Sequence, residues 1–232
     1  MKRQIPNLIT LCNLLCGVFS CIYAAQGHLI LAALFICLGI FFDFFDGMAA
    51  RLLGVSSPLG KELDSLADVV TSGVAPGVIL FELLASSLVP WLKWVGLFTP
   101  LFSAYRLAKF NLDTRQTHSF IGLPTPANAL IWVGFGTDAA FVTDHIWITI
   151  SIALLSVATG IMMVNEVPMF SLKVNFKDLS WKTNVVQYTF LIGCGVIAII
   201  GIIASLDFLF LPLFIIWYIL LSLITQKKEN AQ

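Results

Sequence analysis

Four aspartates stand at helical spacing in apolar surroundings, Asp43 and Asp46 in one run and Asp64 and Asp68 in the next. The stretch that holds them reads DFFDGMAARLLGVSSPLGKELDSLAD. A carboxylate within a membrane-spanning segment is expensive and marks a functional site by default. Four at this spacing call for a compensating cation. An all-carboxylate donor set selects a hard divalent ion, Mg²⁺ or Mn²⁺, over zinc or copper. Four carboxylates exceed what one Mg²⁺ ordinarily takes from protein and fit two ions with bridging ligands. Two metals about 3.5–4 Å apart are a recurring device for phosphoryl chemistry, clamping the phosphate while a nucleophile attacks.

Helical phase places the acids on two surfaces. Asp43, Asp46, Gly47 and Ala50 follow an i, i+3, i+4, i+7 rhythm, and Gly60, Asp64 and Asp68 are successive i+4 steps. A short turn at Val55–Pro58 makes the two helices antiparallel neighbours, so their acidic faces can converge on one notch. Thr71 and Ser72 extend the polar face of the second of these helices one turn deeper. Gly47, Ala50 and Gly60 allow two readings: room for a ligand against backbone, or close helix packing. Arg51 suits a phosphate contact and equally an ordinary cytoplasmic flank. A rival chemistry for the acids is an ion or proton pathway in a transporter. Transporters commonly distribute such groups over repeats or broken helices, and the sequence has no internal repeat.

The elements that must carry these residues are membrane helices. Of 232 residues, 59% are hydrophobic and 11% charged, against about 25% charged in soluble proteins. The expected fold is an all-α integral membrane protein of about eight spans, near 8–26, 28–53, 59–85, 89–110, 122–142, 145–165, 185–205 and 207–226. It forms a single domain over 1–232, with a six-helix catalytic core at about 5–165 and a C-terminal hairpin at about 185–226 after the polar loop 166–184. With both termini cytoplasmic, all 13 Lys and Arg except Lys93 face inward, a decisive positive-inside asymmetry. The aspartates then open to the cytoplasm from a multi-pass protein of the cell membrane. Lys2 and Arg3 precede an apolar run with no small-residue cleavage site after it, so a retained first helix is expected rather than a signal peptide.

Net charge is zero and no basic patch is interleaved with aromatics, so no nucleic-acid partner is expected. Cys12, Cys16, Cys21, Cys37 and Cys194 all lie in apolar runs and read as packing residues. His28, His118 and His145 lie in loops without ligand-spaced partners. Lys173, Lys177 and Lys182 suit anionic lipid headgroups.

The pattern D-x-x-D-G-x-x-A-R-(x8)-G-x-x-x-D-x-x-x-D, complete from Asp43 to Asp68, resembles the signature of the CDP-alcohol phosphotransferases. These are integral membrane enzymes of phospholipid biosynthesis that transfer a phosphatidyl or similar group from a CDP-linked lipid to an alcohol and release CMP. The resemblance implies that Asp43, Asp46 and Asp64 hold a first metal. It also implies that Asp43, Asp64 and Asp68 help hold a second, and that Asp68 is the base for the incoming hydroxyl. Gly47, Ala50 and Gly60 would line the cytidine site. Asn7 and Thr10 could reach the nucleotide in the family's manner, although an N-cap is an equal account of Asn7. A homodimer is the family's common assembly.

The signature does not name the acceptor alcohol. Ile5–Gly17, Ser103–Asn111 and Phe120–Ala129 look like the corresponding segments of membrane-embedded phosphatidylserine synthases, so the resemblance spans roughly residues 5–130. It implies CDP-diacylglycerol and L-serine as substrates, with glycerol 3-phosphate or inositol as alternative acceptors. Two positions depart from that group: Lys109 stands where Arg is more usual, and Asn128 where a small residue is expected. Arg106 and Lys109, one turn apart, could meet a serine carboxylate or the lipid phosphate, or could be a basic flank. Pro124 and Pro126 read as fixing a helix entry.

Overall fold

The computed structural model describes residues 4–55, 57–112, 120–139, 142, 144–170, 184–203 and 208–229, with the backbone alone at 120 and 226–229. Of the cations counted above, Lys2, Arg3, Arg115, Lys173, Lys177 and Lys182 lie outside the described residues, as do His118, Asp207 and the side chains of Lys227 and Lys228.

Helices α1 (Gln4–Ala25) and α2 (Leu29–Leu52) form an antiparallel hairpin. The turn is closed by Gly27 in the left-handed region, and Ser20 Oγ donates to the Ala32 carbonyl at 2.8 Å. Phe35 packs against Phe19 and stacks on Tyr23 at 5.4 Å on the hairpin's outer side. The next connection is written in its residues. Gly54, at φ 60°, ends α2, and Ser57 caps α3 (Pro58–Asp68) by accepting from the Gly60 N–H at 3.0 Å, with Pro58 in the first turn.

Helix α3 continues through a π turn at Val69–Val74 into α4 (Ala75–Ala85), a helical run of 28 residues. In the π turn the Ala75 N–H reaches the Val70 carbonyl, five residues back. Pro76, which has no N–H to give, follows at the start of α4. Such a turn widens a helix locally and recurs at functional sites; this one begins directly after Asp68. A 3₁₀ segment, Pro90–Leu97, then leads into α5 (Phe98–Leu112). Gly96 and Gly77 let that segment and α4 approach backbone to backbone, since a Cβ on either would lie under 3 Å from the other's carbonyl oxygen.

The two-residue strands β1 (Phe120–Ile121) and β2 (Pro168–Met169) pair antiparallel and flank α6 (Thr125–Thr137) and α7 (Ile146–Val164). Helices α8 (Val185–Ile203) and α9 (Phe210–Glu229) complete the chain. The main core gathers Leu80, Leu83, Leu84, Leu123, Trp132, Ile152 and Met163 with Ile215 and Tyr218 of α9. Helix α9 is therefore part of the core: it packs on α6, and Tyr218 Oη donates to the Phe170 carbonyl at 2.9 Å. Outer faces are apolar, with Leu8, Phe41, Phe44, Leu154 and Ile203 all exposed, as in a protein whose solvent is lipid.

The protein is an all-helical, multi-pass membrane protein apart from the short β1–β2 pair. Among the described residues five segments are long and apolar enough to cross a bilayer: Gln4–Ala25, Leu29–Leu52, Pro58–Ala85, Ile146–Val164 and Val185–Ile203. The expected span at 207–226 corresponds to α9, which is 20 residues long. Those at 89–110 and 122–142 correspond to shorter helical pieces. Hydropathy ran ahead of backbone geometry there. The first of these spans is divided between the 3₁₀ segment and α5, and α6 has 13 residues. Thirteen residues give about 20 Å of helix against a hydrocarbon core of about 30 Å.

The π turn is locked onto the first hairpin. Thr71 Oγ1 donates to the Asn13 carbonyl at 3.0 Å, and a Cβ on Gly17 would fall 2.8 Å from the Thr71 Cα. Gly17→Val therefore forces α1 off the helix that carries Asp64 and Asp68. Overpacking of this kind costs about 1–3 kcal/mol, and the thermal midpoint in detergent should fall by about 4–8 °C. An unchanged midpoint would mean that the α1–π contact is not a tight one.

Candidate active site

The face shared by Asp43 and Asp46 on α2 meets the face of Asp64 on α3. Each of these three carboxylates offers one oxygen, and the three oxygens lie within 4.8 Å of one another. Asp46 is buried, while Asp43 and Asp64 are half-buried. Thr10 Oγ1 of α1 donates to Asp46 Oδ2 at 2.5 Å. Asp68 lies one turn deeper on α3, outside this tight group, and its Oδ1 accepts from Asn13 Nδ2 at 3.3 Å.

Asn13 was not singled out from the sequence, although a signal was present. Pro6, Thr10, Asn13, Gly17 and Ser20 form the buried face of α1, a small and polar stripe in an otherwise apolar helix. That stripe faces the acids. Through Thr10 and Asn13, α1 orients Asp46 and Asp68 directly.

The donor set fits divalent cations. Three like charges within 4.8 Å repel by about 3 kcal/mol or more per pair at an effective dielectric of about 20, which a bound dication converts to attraction. The buried Asp64 Oδ1 has no hydrogen-bond partner among the described residues, as a ligand oxygen awaiting an ion would have none. Asp43, Asp46 and Asp64 would hold such an ion, with Asp68 beside them.

A cleft of about 500 Å³ runs outward from Asp46 and Asp64 between α1, α2 and α3. Asn7, Thr10, Gly47, Ala50, Arg51 and Gly60, the six nucleotide-site candidates, all line it. So do Pro6, Gly54, Val55, Ser57 and Lys61, which the sequence reading did not assign to the site. The two readings of the small residues now separate. A Cβ on Gly47 would meet no atom within 4 Å, so Gly47 opens onto space and not onto another helix. At Gly60 a Cβ would meet Ser57 Oγ at 3.1 Å and Asn7 Oδ1 at 3.2 Å, which narrows the cleft wall. Asn7 faces the cleft from within α1, whose described residues begin at Gln4, and so does not stand at an N-cap position. Arg51 Nε donates to the Gly47 carbonyl at 3.0 Å, and Lys61 Nζ to the Asn111 carbonyl at 3.1 Å. Neither cation forms a carboxylate pair among the described residues, so both charges remain available at the cleft mouth.

The acceptor candidates part company. Arg106 is buried, donates through Nη1 to Thr125 Oγ1 at 2.9 Å, and lies within electrostatic reach of Asp68. Lys109 turns elsewhere: its Nζ pairs with Glu166 at 3.2 Å and lies 3.5 Å from the Val164 carbonyl, tying α5 to the end of α7. One helical turn of separation does not aim both cations at one ligand, because Glu166 stands 57 residues further along the chain.

A carboxylate cluster at the end of an open cleft, inside a helical membrane protein, marks a site suited to a divalent cation with a ligand beside it. The chain belongs to the CDP-alcohol phosphatidyltransferase family, whose model matches residues 3–226. It is similar to the CDP-diacylglycerol–serine O-phosphatidyltransferase of Bacillus subtilis, 41% identical over 128 residues that make up 53% of this chain and 70% of that protein. The enzyme of the same name from Helicobacter pylori is 37% identical over 130 residues, 55% of either chain. That from Methanocaldococcus jannaschii is 32% identical over 163 residues, 70% of this chain and 72% of the relative. The match thus spans little more than half of the Helicobacter relative's length.

Proposed function

We infer that this chain is a CDP-diacylglycerol–serine O-phosphatidyltransferase, converting CDP-diacylglycerol and L-serine to phosphatidylserine and CMP. The observation that carries the reading is the convergence of the signature aspartates at the end of a cleft lined by the other signature residues, in a chain similar to serine transferases. In this reading the cytidine lies along the open backbone at Gly47 and against Ala50, Gly60, Asn7 and Thr10. Arg51 meets the diphosphate at the cleft mouth. Asp43, Asp46, Asp64 and Asp68 hold two Mg²⁺ or Mn²⁺ ions, which supply charge neutralisation at the transferred phosphate. Asp68 accepts the proton of the attacking hydroxyl, and Asn13 and Thr10 hold Asp68 and Asp46 in place.

The same reading carries a topology. One domain crosses the cell membrane eight times, with a core at about 5–165 and a hairpin at about 185–226. Both termini and the cleft are cytoplasmic, so serine and the CDP headgroup meet at the mouth from the aqueous side while the acyl chains stay in lipid. The positive-inside count supports this orientation. The working unit is a homodimer.

The test is purified protein in detergent with CDP-diacylglycerol, Mg²⁺ or Mn²⁺ and a panel of alcohols, read as CMP release. Serine should support turnover, and glycerol 3-phosphate and inositol should not. Turnover with glycerol 3-phosphate and none with serine would overturn the acceptor while leaving the chemistry. Solute flux in proteoliposomes without any CMP would return the transporter reading of the aspartates.

A further inference from the structure

The 3₁₀ segment Pro90–Leu97, PWLKWVGL, follows the far end of the helical run that carries Asp64 and Asp68. At 1.5 Å per residue, the rise from Asp64 to Ala85 is about 30 Å, so the segment stands at the end of the bundle opposite the acids. Trp91 is 71% and Trp94 59% exposed, with Leu88 and Leu97 exposed on either side. Helix α7 packs against the segment, and its first turn carries Trp147, 79% exposed. Three indoles thus point outward at one end of the molecule.

The pose of the segment is fixed. Its backbone meets α4 directly, because a Cβ on Gly96 would lie 2.8 Å from the Gly77 carbonyl oxygen. The Trp94 ring meets Phe81 of α4 edge-on, with centroids 5.4 Å apart. Lys93 Nζ lies 5.2 Å from the centroids of both rings, where the aromatic quadrupole attracts an ammonium.

Composition and charge say what covers it. Eight residues of 3₁₀ helix rise about 16 Å, against a hydrocarbon core of about 30 Å, so the segment does not cross the bilayer. Water over it would wet two indoles and two leucines together. Hydrocarbon over it would strand the half-buried Lys93, which forms no carboxylate pair among the described residues. Indole and ammonium are satisfied at once where lipid chains give way to headgroups, with rings among the upper chain carbons and N–H groups toward ester and phosphate oxygens. Of the 13 Lys and Arg, Lys93 alone is left outside by the positive-inside count. A phosphate layer over the segment gives that exception a reason.

We propose that Pro90–Leu97 is an interfacial anchor lying in the headgroup layer of the outer leaflet, with Trp91 and Trp94 at the level of the lipid esters and Lys93 on lipid phosphate. The choice of leaflet rests on the topology given above; the depth does not. Because the segment is fixed to α4, it sets how deep in the bilayer the whole run from Pro58 to Ala85 sits.

The experiment reconstitutes the full chain in vesicles of phosphatidylcholine and phosphatidylglycerol whose chains carry bromine near either the ester end or the methyl end. Tryptophan fluorescence is read. The chain has six tryptophans, so the signal of interest is the difference between wild type and Trp91→Phe/Trp94→Phe. Shallow bromine should quench that difference at least about twofold more than deep bromine, as expected of rings at the headgroup boundary. Equal or stronger quenching by deep bromine places the segment in hydrocarbon. Quenching by buffer iodide and by neither bromine places it in water, and quenching by none of the three places a second copy over it. Each of these three results overturns the anchor. Lys93→Leu should let the indoles sink and raise the deep-to-shallow ratio; an unchanged ratio overturns Lys93 as the group that holds the depth. Either single Trp→Phe variant serves if the double variant does not fold. Turnover is not read, so failure of the anchor leaves the transferase standing, and a protein without serine-dependent CMP release leaves the anchor standing.

Discussion

Asp68→Asn lowers serine-dependent CMP release by about 10³-fold, within the range a positioned general base contributes, while CDP-diacylglycerol still binds. The substitution keeps the shape of the side chain and leaves Asp43, Asp46 and Asp64 in place. What it removes is the carboxylate that can accept a proton and that in this reading also helps hold the second ion. The structure sets Asp68 apart from the other three: it lies one turn deeper, its Oδ1 accepts from Asn13, and it is within electrostatic reach of Arg106. An amide at position 68 can still meet Asn13 but cannot take the hydroxyl proton. The loss should therefore appear in kcat, with KM for CDP-diacylglycerol changed little. Turnover near wild type would place the base elsewhere.

Asp64→Asn should be at least as damaging and should fail differently. Asp64 is the α3 member of the three-carboxylate group, and its buried Oδ1 has no hydrogen-bond partner among the described residues. Removing its charge weakens metal binding, and with it the several kcal/mol of charge stabilisation that a metal supplies to phosphoryl transfer. Activity should fall about 10³-fold or more. A second readout separates ligand loss from misfolding. Ion binding to the native state raises the thermal midpoint by mass action, so Mn²⁺ should stabilise the wild type and have little effect on the variant. In chelator the order reverses, because the variant carries one fewer repelling charge in the cluster and should melt higher than wild type. A variant that Mn²⁺ stabilises as strongly as wild type would remove Asp64 from the ligand set.

Much of the site is legible in the chain because its parts are local. Asp43, Asp46 and Gly47 share a face by helical phase alone. The α2–α3 connection is spelled out by Gly54, Ser57 and Pro58, which act on their immediate neighbours. Convergence of the two acidic faces follows from a short turn between antiparallel helices, and the structure brings Asp43, Asp46 and Asp64 together accordingly.

Other features needed contacts distant in sequence. Asn13 meets Asp68 across 55 positions, and Thr10 meets Asp46 across 36. Lys109 and Arg106 are one turn apart on α5, yet Glu166 draws one toward α7 while Thr125 holds the other beside Asp68. Hydropathy marks apolar stretches but does not measure helix length, so the expected spans at 89–110 and 122–142 are divided into shorter helical pieces. The π turn after Asp68 depends on a one-residue shift in hydrogen bonding that no hydropathy pattern records.

By itself the sequence determined the membrane class, the divalent chemistry of the aspartates and the face each acid occupies, because those follow from composition and the helical repeat. Only the tertiary structure decided whether Gly47 packs or opens and which of two basic residues stands near the acids. Those are properties of the space between helices, and that space is set by every element packed around it.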